Sequence, residues 1–203
     1  HYTHIRDLIK KAALPRVVEQ NSLAAFEKVA LAESKIHDKD ISTIHFHEIG
    51  GVDSLVDIIG SFLAVDYLGI QQVQASVIPL GSGFVECAHG RIPVPVPATM
   101  AILKDIPVTA SDATTEIVTP TGAAIIATLA RRFGPMPDMV VQKIGYGAGK
   151  RDTGTRLPNL LRVVLGREQR EKTGGSAVQT EHIQVLVTQV DDMSPEGLGF
   201  LMD

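Results

Sequence analysis

At 203 residues, with 44% hydrophobic and 21% charged side chains, the chain has room for one good-sized globular domain and part of another. A net charge of −4 argues against a general polyanion binder, and 4% aromatics with no Trp argue against a stacking platform for single-stranded nucleic acid. No apolar run reaches about 18 residues, so no helical membrane span is expected; the single Cys87 excludes an internal disulfide, and no signal-peptide pattern is visible, which together predict a cytoplasmic location.

The first predicted elements are two helices. His4 to Ala13 carries Ile5, Leu8, Ile9 and Ala12 at helical spacing, and Pro15 suits the first turn of a second helix running to about Ile36 with Phe26, Val29 and Ala30 on its inner face. They read as a helical hairpin over 4–36. Next comes the densest stretch of chemistry, HFHEIGGVDSLVD from His45 to Asp57. Thr43 to Glu48 has strand character, which turns Ile44 and Phe46 inward and sets His45 and His47 on the other face. Gly50 and Gly51 end the strand. Asp53 then falls at an N-cap position, with Asp57 one turn on, in a helix to Leu68 that is apolar almost all round and so predicted to be buried. Imidazoles beside carboxylates suit a borderline divalent ion such as zinc, nickel or cobalt, and proton transfer near neutral pH. A helix cap and a polar sheet face account for the same residues without a metal.

Val73 to Leu80 reads as a strand, Gly81-Ser82-Gly83 as a turn and Phe84 to Cys87 as a short return strand. Cys87 and His89 alternate and can face one site; a buried thiol beside a turn histidine is the plainer account. The alternating prolines from Pro93 make an extended or edge-like segment, and Pro97 opens a helix to about Lys104. Thr119-Pro120-Thr121-Gly122, just after Glu116, precedes a helix expected over Ala123 to Phe133. Its hydroxyls and N–H groups can hold a phosphate or make an ordinary cap. Met139 to Tyr146 is a predicted strand. The Gly145, Gly147 and Gly149 run that follows, with Lys150 and Arg151, has neither P-loop spacing nor a dinucleotide fingerprint; it reads either as an anion-approaching loop or as a glycine-rich turn. Leu160 to Leu165 is a strand, 166–180 a polar linker, and Glu181 to Val190 a half-exposed strand ending at Asp191 and Asp192, a pair suited to Mg²⁺ or Mn²⁺ with a nucleotide or to plain turn chemistry. The fold class expected is α+β, a mixed sheet flanked by helices with the helical hairpin at the start. The domains expected are 1–165, a linker at 166–180, and 181–203 as the start of a further, truncated domain.

The segments HFHEIGGVDSLVDIIG, AHGRIPVPVPAT, TPTGAA, FGPMP, GYGAGKRD, PNLLRVVLG and DDMSPE stand here in one order and spacing. Together they resemble the LarC family, the nickel-insertion proteins of lactate racemase maturation. The resemblance implies a nickel chelatase, or cyclometallase, of the lyase class. Such a protein inserts Ni²⁺ into pyridinium-3,5-bisthiocarboxylic acid mononucleotide, depends on CTP with Mg²⁺ or Mn²⁺, and makes the nickel-pincer cofactor for apo lactate racemase. The family's opening DCFSGISGDM-like segment is absent and its C-terminal, CTP-associated domain is represented only by 181–203. The chain is therefore expected to be a piece of a longer protein, with activity belonging to the whole. Within that expectation His45, His47 and His89 are the nitrogen donors, with Cys87 as a softer ligand. Glu48, Asp53 and Asp57 orient them or take a proton. Thr119, Thr121, Gly122, Gly147, Gly149, Lys150 and Arg151 hold the phosphate, and Asp191 and Asp192 reach the nucleotide-bound metal. Two other readings use the same residues: a metal-dependent hydrolase with a metal-bound water, and a non-catalytic domain for ligand binding or homo-oligomer formation.

Overall fold

The computed structural model describes residues 1–44, 46, 52–87, 90–149, 152, 153, 155, 158–169 and, for the backbone alone, 182–187. Its organising helix is α2 (Arg16–His37), which packs against α1 (Tyr2–Lys11), α3 (Val52–Tyr67), α4 (Pro97–Ile102) and α5 (Pro120–Leu129). Val18, Ser22, Ala25, Phe26, Val29 and Ala30 recur on α2 at the three- and four-residue spacing of a helix face, and all are buried. The small side chains among them let neighbouring helices approach closely, and the same holds on α5, where Ala123 and Ala124 are fully buried. Ile5 and Ile9 from α1 and Ile58 and Phe62 from α3 complete this core. The predicted helical hairpin is therefore present, joined across Ala12–Pro15. Asp38 closes α2 in the left-handed conformation, its N–H donating to the Ser34 carbonyl.

Nine strands accompany the helices: β1 (Gln72–Ala75), β2 (Ile78–Leu80), β3 (Phe84–Cys87), β4 (Gly90–Pro93), β5 (Val108–Ala110), β6 (Ala130–Phe133), β7 (Met139–Ala148), β8 (Leu160–Glu168) and β9 (His182–Val187), counted among the described residues. Five form one sheet in the order β6-β1-β9-β8-β7. β1 runs parallel to both β6 and β9, while β8 is antiparallel to β9 and β7, so the sheet is mixed and the class is α+β as expected. Parallel neighbours need a long crossover; between β1 and β6 the chain passes through α4 and α5. Val73 and Ala75 of β1 are buried and alternate with half-buried glutamines, the period of a strand with one face on a core. Two small pairs stand apart: β2 parallel to β5, and the β3–β4 hairpin, which sets Phe84 opposite Pro93 and Cys87 opposite Gly90.

Several boundaries differ from those expected, each for a local reason. Thr43 does not start a strand. Asp40 accepts from both the N–H and the hydroxyl of Ser42, which winds Ile41–Thr43 into one 3-10 turn. The same two bonds hold the Asp40 carboxyl below the usual carboxylate range. Ile44 is then extended and buried, with its carbonyl accepting from the Tyr2 N–H, and Phe46 packs on the core, so the inward direction expected for both side chains is found. Val73 to Leu80 is two strands, separated at Ser76 and Val77. Phe84–Cys87 pairs forward with β4 rather than back on the strand before it. The helix expected to reach Phe133 ends at Leu129. Ala130 turns to extended geometry (φ −73, ψ 129) and the chain continues directly as β6 beside β1. None of the described helices is long and apolar enough to cross a membrane.

Candidate functional site

Of the residues singled out from the sequence, His45, His47, Glu48, His89, Lys150, Arg151, Asp191 and Asp192 lie outside the described residues. The others can be placed. Asp53 is inside the first turn of α3 rather than before it, where its charge meets the positive end of the helix dipole. Asp57 lies one turn on. Both side chains are exposed, because α3 was expected to be buried and is not. Only Ile58 and Phe62 are sealed against the core; Val52 and Tyr67 are 73% and 90% exposed, and Val56 and Leu63 also face outward. Apolar composition all round does not by itself bury a helix; among the described residues the helices that pack on α3 are α2 and α5. An exposed carboxylate needs no metal to survive, so that reason for a metal beside Asp57 falls away. Among the described residues no group of three or more His, Cys, Asp and Glu side chains is placed to hold a metal ion.

Cys87 is half-buried at the end of β3, and its Sγ donates to the Gly90 carbonyl across the hairpin at 3.3 Å. On the outer face of the same hairpin the Arg91 guanidinium lies 4.5 Å from the centre of the Phe84 ring. Thr119 is the N-cap of α5: its Oγ1 accepts from the Gly122 N–H at 3.2 Å, and Pro120 follows in the first helical position. The capping account of this turn is thus realised in the geometry. Thr119→Ala is expected to lower stability by about 1 kcal/mol, read as a shift in the midpoint of urea unfolding. Gly147 belongs to the β7 ladder opposite Leu161, so the glycine run is strand, not loop, as far as Ala148. Gly149 follows, donating to the Asn159 carbonyl at 2.7 Å; a Cβ there would fall 2.3 Å from the Asn159 amide nitrogen.

What the structure brings together is a knot of backbone around the loop 111–119. At one end the N–H and hydroxyl of Ser111 both donate to the Leu80 carbonyl at 3.0 Å. The Ala113 carbonyl then accepts from the N–H of Ser82 at 2.9 Å and from its hydroxyl at 3.2 Å. Gly81 and Gly83 lie so close to the carbonyls of Thr115 and Thr114 that an added Cβ would stand 1.9 Å and 2.9 Å from those oxygens. The Thr114 N–H donates to the Thr153 carbonyl at 3.0 Å, and the hydroxyls of Thr153 and Thr155 meet at 3.0 Å. At the far end the Thr99 hydroxyl donates to the Val118 carbonyl. The loop that leads into the threonine turn at 119–122 is therefore tied through Thr114 to Thr153, which lies two residues beyond Arg151, the end of the glycine run that the sequence offered as a second anion site. Glu116 sits in the middle of this knot, 8% exposed, the one buried carboxylate among the described residues. Sequence reading named Glu116 only as a neighbour of the threonine turn, and did not single out Ser82, Ser111, Thr114 or Thr153. Their signal was faint: a glycine–serine–glycine turn and a run of small polar residues that any loop could carry.

The family model described as Nickel insertion protein matches residues 1–203. The chain belongs to the nickel insertion protein family. Among curated members, a Geotalea daltonii protein provisionally named as a nickel insertion protein is 47% identical over 203 residues, covering 100% of this chain and 50% of that one. Proteins named pyridinium-3,5-bisthiocarboxylic acid mononucleotide nickel insertion protein from Desulfitobacterium hafniense and Geobacillus kaustophilus are each 43% identical, again over 100% of this chain and 50% of theirs. The chain thus spans about half the length of the curated relatives it matches. No solved structure matches it.

Proposed function

We propose that this chain is part of an enzyme that inserts Ni²⁺ into pyridinium-3,5-bisthiocarboxylic acid mononucleotide, forming a carbon–nickel bond in a CTP-dependent cyclometallation. The supporting observation is the family match along the whole chain, together with the substrate printed in the names of relatives 43% identical to it. In this reading Ni²⁺ is cargo. His45, His47 and His89 offer nitrogen donors and Cys87 a softer one, a donor set suited to nickel among the borderline divalent ions. Glu48, Asp53 and Asp57 orient the imidazoles. The mononucleotide phosphate is held by Thr119, Thr121 and Gly122 on one side and by Gly147, Gly149, Lys150 and Arg151 on the other. CTP enters with Mg²⁺ or Mn²⁺, for which the oxygen donors of Asp191 and Asp192 are the suitable chemistry. The product is delivered to apo lactate racemase in the cytoplasm.

The metal step is tested by equilibrium dialysis of Ni²⁺ against the protein with both His45 and His47 changed to alanine. Loss of two donors is expected to weaken binding by about 100-fold or more; unchanged affinity removes both residues from the site. The whole reaction is tested by incubating the intact protein with Ni²⁺, CTP and the dithiolated precursor, then measuring activation of apo lactate racemase.

A further inference from the structure

We infer that Arg162 and Tyr146 form a binding site for an oxyanion, the phosphate or carboxylate group of a ligand with an apolar or aromatic body, on the face of the five-stranded sheet where β7 meets β8. The site does not depend on the nickel reading. The register of the two antiparallel strands sets Tyr146 directly opposite Arg162. Directly opposed residues share a face, with Cβ atoms about 4.5–5.5 Å apart, so the phenol and the guanidinium start from neighbouring points and can reach one ligand between them.

Arg162 is the residue that calls for a ligand. It is half-buried, and its Nε is shut off from solvent with no hydrogen-bond acceptor. None of the ion pairs among the described residues includes it. A donor on a charged group, out of water and unanswered, is costly. The guanidinium cannot escape that cost by losing its proton. Other arginines of the sheet show how this fold treats one that needs no ligand. Arg132 pairs with Glu168 at 3.6 Å, and Arg131 is exposed to water. With the Gln142 amide turned so that its oxygen faces the guanidinium, Arg167 donates to it from Nε at 2.9 Å and from Nη2 at 3.1 Å. Arg162 has neither a partner nor full exposure. Tyr146 supplies a second donor: it is exposed, and its hydroxyl makes no hydrogen bond among the described residues. On the same face stand Val164, buried, and opposite it Ile144, exposed. The N–H fork of an arginine matches the paired oxygens of a carboxylate or phosphate. The phenol adds one more bond to the oxyanion, and the Tyr146 ring and Ile144 offer the rest of the ligand an apolar bed.

The experiment uses the intact protein, with its arginines isotopically labelled, and two probes that carry the two oxyanions on one kind of ring, phenyl phosphate and benzoate. Binding is read by titration calorimetry and by the Nε–H resonance of Arg162. At least one probe is expected to bind saturably, to move that resonance, and to bind Arg162→Gln at least about tenfold more weakly than wild type. The probe that binds more tightly tells whether the ligand's group is a phosphate or a carboxylate. Tyr146→Phe, which loses one neutral donor and keeps the ring, is expected to weaken binding by about threefold to tenfold. If neither probe binds, if the Nε–H resonance stays in place as a probe binds, or if Arg162→Gln binds as tightly as wild type, the site is overturned, whatever the outcome of the nickel-insertion assay. Should Arg162→Gln not fold, Arg162→Lys decides together with Tyr146→Phe. Lysine keeps the charge and loses the fork, so weaker binding in both variants supports the site, and wild-type affinity in both overturns it.

Discussion

Phe26→Ala is expected to destabilise the protein by about 3–5 kcal/mol, the range for emptying a buried phenylalanine site. Phe26 is fully buried on α2, the helix against which the other four pack, so no single neighbour can move in without leaving another. The loss has a second part. The Phe26 ring lies 6.4 Å from that of Phe46, which in turn meets Tyr2 edge-on at 6.4 Å. Such pairs contribute about 0.5–1.5 kcal/mol beyond their burial. Phe46 stands in the sequence between His45 and His47, so the variant also loosens the anchor of the segment that carries two proposed nickel donors. Guanidinium chloride unfolding followed by circular dichroism measures the first effect. Phe26→Leu separates the two, because it keeps most of the volume and loses the ring; a loss no greater than about 1.5 kcal/mol is expected there.

Gly81→Ala is expected to cost about 3 kcal/mol, the upper end for inserting one carbon into a packed site. The new Cβ would be 1.9 Å from the Thr115 carbonyl oxygen, 3.1 Å from its carbon and 3.3 Å from the Ala113 oxygen. All three are backbone atoms, so no side chain can rotate away. The loop cannot back off either, since Ser111 is bonded to Leu80 and Thr114 to Thr153. Gly60→Ala is the matched comparison. It lies inside α3 with nothing within 4 Å of the added carbon, and is expected to stabilise by about 0.5–1 kcal/mol through helix propensity. Unfolding midpoints that move in opposite directions for the two glycines are the expected result; equal shifts would mean that Gly81 is not in fact pressed against Thr115.

How much of this could be read from the sequence depends on how local each feature is. The stripes of Ile5 and Ile9 and of Phe26, Val29 and Ala30 specify two helices and their inner faces by spacing alone, and both are found. Pro120 and Thr119 mark the start of α5 for reasons contained in four residues. The end of α5 was not legible. Nothing between Leu129 and Phe133 forbids another helical turn; what draws Ala130–Phe133 into a strand is the edge of β1, some 57 positions earlier in the pairing of Val73 with Ala130. α3 failed for the opposite reason. Its composition calls for burial, but burial is decided by how many neighbours the fold supplies. The candidate site divides along the same line. Thr119, Cys87 and the glycines were visible as motifs, whereas the clasp of Gly81, Ala113, Thr114 and Thr153 joins residues up to 39 apart in sequence and has no local pattern. Glu116 drew little attention because a single glutamate in a loop is usually at the surface.

The placement of β9 has a consequence for how the protein comes off the ribosome. His182–Val187 sits between β1 and β8, so a strand made late is flanked by one made more than a hundred residues before it. Until it emerges from the exit tunnel, β1 and β8 each have a side with no partner strand. The helical half is complete once α5 has been made, well before β9, so the chain carries two open ladders beside a formed helical core until its last strand arrives, and another nascent chain can add a strand there in the meantime.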